Sequence, residues 1–112
     1  MYPLDATKLR LQEDERVSLF AHGDALTDAL GQLYWQWRDA DQPWAGATPT
    51  LFDVVPVAAL VDPSTCPTVP LRLEVDSAGM TREAAGTPNA QVCLKADKPA
   101  ITRMLIRALL SP

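Results

Sequence analysis

The stretch that decides the fold is residues 48–63, TPTLFDVVPVAALVDP, in which a loop turns into a short apolar helix. Pro56 constrains where that helix begins, because a proline inside a helix removes a hydrogen bond and clashes with the preceding turn, at about 3 kcal/mol. If Asp53 is the N-cap, Pro56 is the third helical residue, whose N–H has no partner within the helix to lose. The sequence therefore predicts a helix that starts at Asp53, ends at Asp62-Pro63 and, being almost entirely apolar, is buried.

Asp53 has a local physical reason to stand at this helix start. The first turn of a helix has unpaired N–H groups and the positive end of the helix dipole, and both favour a carboxylate. We expect the side chain to face those amides, as a helix cap does, or a nearby cation.

Length and composition predict one soluble domain, residues 1–112. The chain is 47% hydrophobic and 21% charged, with a net charge of −4, so nucleic acid and anionic membranes, which need a basic face, are not expected partners. No apolar run reaches membrane-spanning length, and residues 1–5 lack the features of a signal peptide. A cytoplasmic location is therefore expected.

Other kinds of chemistry find little support in the sequence. Cys66 and Cys93 are too few and too far apart for a metal knuckle or a disulfide framework, and both are expected to be reduced thiols. His22, the only histidine, is expected to be a surface or capping residue. Arg103 and Arg107 predict a solvated helix face in preference to an anion site. No glycine-rich phosphate loop occurs.

Elsewhere the patterns predict helices at 13–21, from Asp24 to about Asp39, and after an N-cap at Asp97. A loop is expected at 40–50, from its turn residues. Alternating sequence predicts strands at 8–11, 71–76 and 90–96, the second of them half-buried and joined to 81–84 as a hairpin. The buried helix faces are expected to be Leu26, Leu30, Leu33, Tyr34 and Trp37 in the second helix, and Ile101, Met104, Leu105, Ala108 and Leu109 in the last.

Four segments resemble, in order and spacing, the C-terminal part of the inosine–uridine nucleoside hydrolase family. Residues 2–7, YPLDAT, are similar to the family's "plDvT" strand exit, and residues 52–58, FDVVPVA, to its "HDplAva" segment. The strand and hairpin at 73–83 and the stretch from Pro88 to Asp97 are similar to its closing hairpin, strand and helix. The fold implied is an α/β C-terminal segment with short strands, a hairpin and about four helices.

The resemblance implies hydrolysis of the N-glycosidic bond of ribonucleosides with the help of calcium. In the family, an N-terminal Asp-rich motif (DxDxxxDD) and a C-terminal aspartate, matched here by Asp53, bind the ion. Phe52 takes the place of the family's histidine; it cannot transfer a proton, although it can stack on a base. The Asp-rich motif does not occur in these 112 residues, and one aspartate cannot complete a calcium site. The chain alone is therefore expected to be inactive and to bind no calcium.

Two alternatives remain open. The chain could be a stand-alone interaction or oligomerisation domain, and an exposed apolar surface would favour homo-oligomers. It could also be an unrelated small α/β domain in which Asp53 is only a helix cap; a position of residues 71–76 away from the Asp53 helix would favour that alternative.

Overall fold

The computed structural model describes residues 1–39 and 48–111. In these two ranges the chain forms four α-helices and four short strands, which confirms the expected mixed α/β class. Part of the predicted loop at 40–50 lies outside the described residues. None of the helices in the described ranges is long and apolar enough to cross a membrane. The elements are α1 (Glu13–Phe20), α2 (Ala25–Asp39), α3 (Val54–Val61), β1 (Thr68–Leu71), β2 (Leu73–Val75), β3 (Thr81–Glu83), β4 (Ala90–Cys93) and α4 (Lys98–Leu110).

The core is built around α3 and α4. The helix α3 begins at Val54, so that Pro56 is its third residue as predicted. Asp97 caps α4, its Oδ1 accepting a hydrogen bond of 3.0 Å from the Ala100 N–H. The main buried cluster contains Ala6, Leu9, Val55, Ala58, Ala59, Cys66, Cys93 and Ile101.

The strands form two separate antiparallel pairs, β1 with β4 and β2 with β3. The β2–β3 hairpin confirms the prediction, and its turn places Gly79 at a positive φ of 80°, which glycine adopts without strain. The segment predicted as one half-buried strand, 71–76, is divided between the end of β1 and β2; Leu71 and Leu73 are partly buried, whereas Val75 is exposed. In the β2–β3 ribbon, five of the six residues are exposed. Its exposure is consistent with the elongated shape of the molecule, whose radius of gyration of 16.9 Å compares with about 13 Å for a compact chain of this length.

The hairpin is not among the main packing partners of α3. That helix packs chiefly against α4 and against a short 3₁₀ turn at Pro63–Thr65. This placement favours the alternative of an unrelated small domain.

The cysteines form a disulfide, so the prediction of reduced thiols is wrong. Pairing of β1 with β4 sets Thr68 opposite Cys93, and Cys66 lies two residues before Thr68. The two Cα atoms are 5.6 Å apart, a separation at which a disulfide forms readily. Both residues are buried. Sequence spacing does not reveal this pair, because strand pairing brings it together.

Residues 8–11 keep the predicted alternation without forming a strand. Leu9 and Leu11 are buried, whereas Lys8 and Arg10 are exposed. The carbonyl oxygen of Leu9 accepts a hydrogen bond of 2.8 Å from the Leu51 N–H. This hydrogen bond holds the segment against residues 48–52, but one such bond does not make a pair of β-strands.

The buried side of α2 is rotated from the predicted stripe. Leu26 and Leu33 are exposed, and Thr27 is fully buried. Tyr34 is buried as predicted, and Leu30 and Trp37 are partly buried. A buried threonine is tolerated here because its hydroxyl bonds to the Asp24 carboxylate at 3.0 Å. In α4, Ile101 is fully buried as predicted, whereas Ala108 is exposed.

Candidate functional site at the start of α3

Asp53 stands at the N-cap position of α3, but its side chain does not cap the helix. Its backbone is already helical, with φ −76° and ψ −14°, and the carboxylate accepts no hydrogen bond from the first-turn amides. N-cap residues usually have an extended backbone, which directs the side chain back over those amides. The helical conformation of Asp53 therefore accounts for a carboxylate that is exposed and not used by its own helix.

The aspartates at other helix starts behave differently. Oδ1 of Asp24 accepts a hydrogen bond of 2.7 Å from the Thr27 N–H, and Asp97 bonds to Ala100 in the same way. Asp62 caps the 3₁₀ turn, with its Oδ1 3.0 Å from the Ser64 N–H. Asp24, Asp62 and Asp97 each bond to their own helix or turn, whereas Asp53 does not. Within the described ranges, Asp53 is therefore the helix-start aspartate whose carboxylate can contact a group outside its helix.

The other apolar-flanked carboxylates, Asp5 and Asp62, form contacts within their own segments. The Asp5 carboxylate pairs with Lys8 Nζ at 2.9 Å, and the hydrogen bond and charge of Lys8 lower the pKa of Asp5. Hydrogen bonds from the hydroxyl and the N–H of Ser64 lower the pKa of Asp62. Each of these two carboxylates already has a local partner.

A calcium ion does not fit the described part of the chain by itself. Calcium takes six to eight oxygen ligands, usually with several carboxylates converging. Residues 1–39 and 48–111 contain no group of three or more histidine, cysteine, aspartate or glutamate side chains that could hold a metal ion. Asp53 by itself offers one carboxylate, which is less than a calcium ion needs.

The outer face of α3 is apolar and exposed, which contradicts the prediction that the helix is buried. Val55, Ala58 and Ala59 pack into the core. The opposite side carries Val57, Leu60 and Val61, with exposed fractions of 61%, 84% and 73%. We call these three residues the α3 apolar patch. One side of α3 thus has a packing partner, and the other presents large aliphatic side chains next to Asp53 in the chain.

Phe52 lines a cleft of about 620 Å³ between the N-terminal segment and the start of α4. The same cleft is lined by Lys8, Arg10, Lys98 and Arg103, a grouping that was not predicted. Two signals were available in the sequence: the alternation at residues 8–11 and the spacing of residues 98–103. Neither shows that the two segments meet.

The remaining sequence-predicted residues lie on the surface. His22 is exposed, and its Nε2 is 3.4 Å from Oδ2 of Asp24, which confirms a surface histidine at a helix end. Arg103 and Arg107 are both exposed on α4, and Arg103 also lines the cleft beside Phe52.

Comparison with known proteins does not assign a family. No family model matches the sequence, and no curated protein matches it.

Proposed function

We propose that this chain is the C-terminal part of a nucleoside hydrolase-like protein and supplies Asp53 to a calcium site that other polypeptide completes. The complete protein would hydrolyse the N-glycosidic bond of ribonucleosides. One observation carries the proposal: a carboxylate free of its own helix stands directly before an exposed apolar helix face.

The available carboxylate supports a role beyond the fold. A cap that bonds to its own helix contributes to stability, and Asp97 does so here. Asp53 stands at the same kind of position without that bond. A negative group kept at the positive end of a helix and open to solvent is well placed to join a cation site. This counts against the alternative in which Asp53 is only a helix cap, although the hairpin's placement favours that alternative.

The α3 apolar patch supports the presence of further polypeptide. Leu60 is 84% exposed and Val61 73% exposed, and large aliphatic side chains grouped in this way usually mark an interface. In the proposed protein an N-terminal half covers the patch and carries the Asp-rich motif. Asp53 would then lie at the border of that interface, where ligands from both halves can converge.

Phe52 sets the chemistry that we expect at the leaving base. A phenyl ring has no proton to give, so leaving-group activation in the proposed enzyme comes from another residue or from the substrate itself. The ring can still stack on a planar base. By itself the chain is proposed to be inactive, because it does not contain the Asp-rich motif.

The cytoplasmic location expected from the sequence remains a proposal, and the Cys66–Cys93 disulfide argues against it. Buried disulfides are uncommon there, so the redox state of Cys66 and Cys93 in cell extract is a direct check. Thiol alkylation before and after reduction, read by mass spectrometry, distinguishes the two states. A fully oxidised pair in extracts quenched with acid would count against a cytoplasmic location.

The test of the function begins with the reading frame upstream of Met1. We expect it to encode a DxDxxxDD segment, and the longer polypeptide to hydrolyse inosine or uridine with calcium. In that polypeptide Asp53→Asn should abolish calcium-dependent turnover, whereas Asp28→Asn, an exposed aspartate in the first turn of α2, should retain it. An upstream frame without such a motif, or full activity in Asp53→Asn, would refute the proposal.

A second candidate function is homo-oligomerisation through the same surface. Besides the α3 apolar patch, a groove of about 540 Å³ runs between α3 and α4, lined partly by Val57, Val61 and Met104. Two copies could bury these faces against each other. Analytical ultracentrifugation of the isolated chain tests this: Leu60→Asp should convert a dimer to a monomer, and Val75→Asp, an exposed residue of the hairpin, should not. A monomeric parent chain would exclude it.

A further inference from the structure

A strongly basic cleft lies on a chain that is acidic as a whole. Of its ten lysine and arginine residues, four line the 620 Å³ cleft beside Phe52, accompanied by the single carboxylate of Glu15. The lining therefore carries a formal charge of +3, on a chain whose net charge is −4. A concentration of one sign of charge in a concave site raises the local concentration of ions of the opposite sign.

The N-terminal wall of the cleft is held by contacts that orient Arg10. Its neighbours Leu9 and Leu11 are buried, so Arg10 faces the opposite side of the segment. Its Nε donates a hydrogen bond of 2.8 Å to Thr50 Oγ1. This bond fixes the guanidinium against the 48–52 segment and leaves the terminal NH₂ groups to meet a ligand.

The second wall is the start of α4. Lys98, Thr102 and Arg103 line the cleft, and Lys98 and Thr102, four residues apart, lie on the same side of the helix. Thr102 is almost fully buried and forms part of the inner surface.

Most of this positive charge is not neutralised by the described residues. Lys8 pairs with Asp5, but none of the carboxylates in residues 1–39 and 48–111 forms an ion pair with Arg10, Lys98 or Arg103. The Glu15 carboxylate already accepts a hydrogen bond of 2.7 Å from the Gln12 N–H. Three cations are therefore available to an anion that enters the cleft.

We propose that this cleft binds a small phosphate monoester that carries a planar ring. Guanidinium groups bind phosphate oxygens through paired hydrogen bonds, and a doubly charged group uses the excess of positive charge better than a carboxylate does. Phe52 offers a ring face for stacking. The volume of about 620 Å³ lies in the range of small-molecule sites. This assignment does not depend on calcium or on the proposed hydrolase activity.

The experiment is a titration of the isotopically labelled chain followed by ¹H–¹⁵N correlation spectra, with EDTA present so that metal ions play no part. The probes are phenyl phosphate, inorganic phosphate, benzoate and phenol. We expect saturable shifts at the amides of Thr50, Phe52 and Thr102, with phenyl phosphate binding most tightly and phenol not at all. Equal affinity for benzoate and phenyl phosphate, shifts confined to other surfaces, or no saturation in the millimolar range would overturn the assignment.

Variants separate the charge from the ring. Arg103→Gln should weaken phenyl phosphate binding about tenfold, the usual loss for one charge-assisted contact, whereas Arg82→Gln on the hairpin should leave it unchanged. Phe52→Leu should weaken phenyl phosphate and leave inorganic phosphate unaffected. An equal loss in Arg103→Gln and Arg82→Gln would show general charge attraction and would refute a specific site. Because the wild-type titration is itself decisive, a variant that fails to fold does not leave the question open.

Discussion

The contrast between Asp53 and Asp97 can be measured as a difference in stability. Both aspartates precede a helix, so replacing either by alanine removes a similar attraction to the helix dipole. Only Asp97 accepts a hydrogen bond from its helix, at 3.0 Å from the Ala100 N–H. Loss of an N-cap bond costs about 1 kcal/mol, and a surface substitution without such a bond stays within about 0.5 kcal/mol. Asp97→Ala should therefore lower the free energy of unfolding by about 1 kcal/mol more than a neutral surface change, and Asp53→Ala should not.

Urea denaturation followed by circular dichroism provides the assay, with the two variants and the parent chain measured side by side under oxidising conditions. The slope of free energy against urea should be equal in all three, because neither change alters the surface exposed on unfolding. In thermal melts, Asp97→Ala should lower Tm by about 4 °C for a chain of this size. If Asp53→Ala costs as much as Asp97→Ala, the Asp53 carboxylate is a cap after all, and the reasoning that leaves it available for a cation fails.

Three further predictions concern the disulfide, the core and acid pH. The Cys66–Cys93 disulfide closes a loop with a sequence separation of 27. By the chain-entropy relation, a Cys66→Ser/Cys93→Ser variant should have a free energy of unfolding lower by about 3.5 kcal/mol, measured by urea denaturation. Labelling of both thiols by iodoacetamide in the native, unreduced protein would contradict the bond. Ile101→Ala, at a fully buried position, should lower the free energy of unfolding by about 2–5 kcal/mol. Leu60→Ala on the α3 apolar patch should change it by no more than about 0.5 kcal/mol. Equal losses in the two variants would contradict the assigned burial. Hydrogen bonds from Arg82 and from the Met80 N–H lower the pKa of Asp76 from its usual 3.8; the stability from this carboxylate should thus be complete above that pH and vanish as the pH falls through the lower folded-state value. An NMR titration should give a midpoint for Asp76 below 3.8 that rises in Arg82→Gln; a midpoint unchanged by that substitution would contradict the pairing.

Local signals in the sequence predicted the places where elements begin and turn. Pro56 set the start of α3 because the proline restricts which helical positions it can occupy. Asp97 marked the start of α4, and the turn around Gly79 marked the β2–β3 hairpin. Each of these features depends on a few neighbouring residues whose backbone preferences are strong.

Features that depend on distant parts of the chain were not predicted. The disulfide follows from the pairing of β1 with β4, and two cysteines separated by 27 positions give no sign of it. The basic cleft likewise joins residues 8–10 to the start of α4. Each segment contributes two of the four cations, so their concentration in one cleft exists only in three dimensions.

The burial of α3 was predicted wrongly for an instructive reason. An apolar composition says that a helix needs partners, but it does not say whether they lie in the same chain. Here α3 has a core partner on one side and an exposed apolar patch on the other. The carboxylate of Asp53 is exposed because of the backbone angles at that one residue. Sequence patterns do not predict helix ends to the precision of a single residue.

Calcium titration of the isolated chain by isothermal calorimetry tests the central claim most directly. Because Asp53 can offer only one carboxylate to a cation site, we predict no saturable binding of calcium, or of ribose, in the micromolar range. Micromolar calcium binding that disappears in Asp53→Asn would show that these 112 residues complete the site by themselves, and would contradict the claim that its other ligands come from further polypeptide.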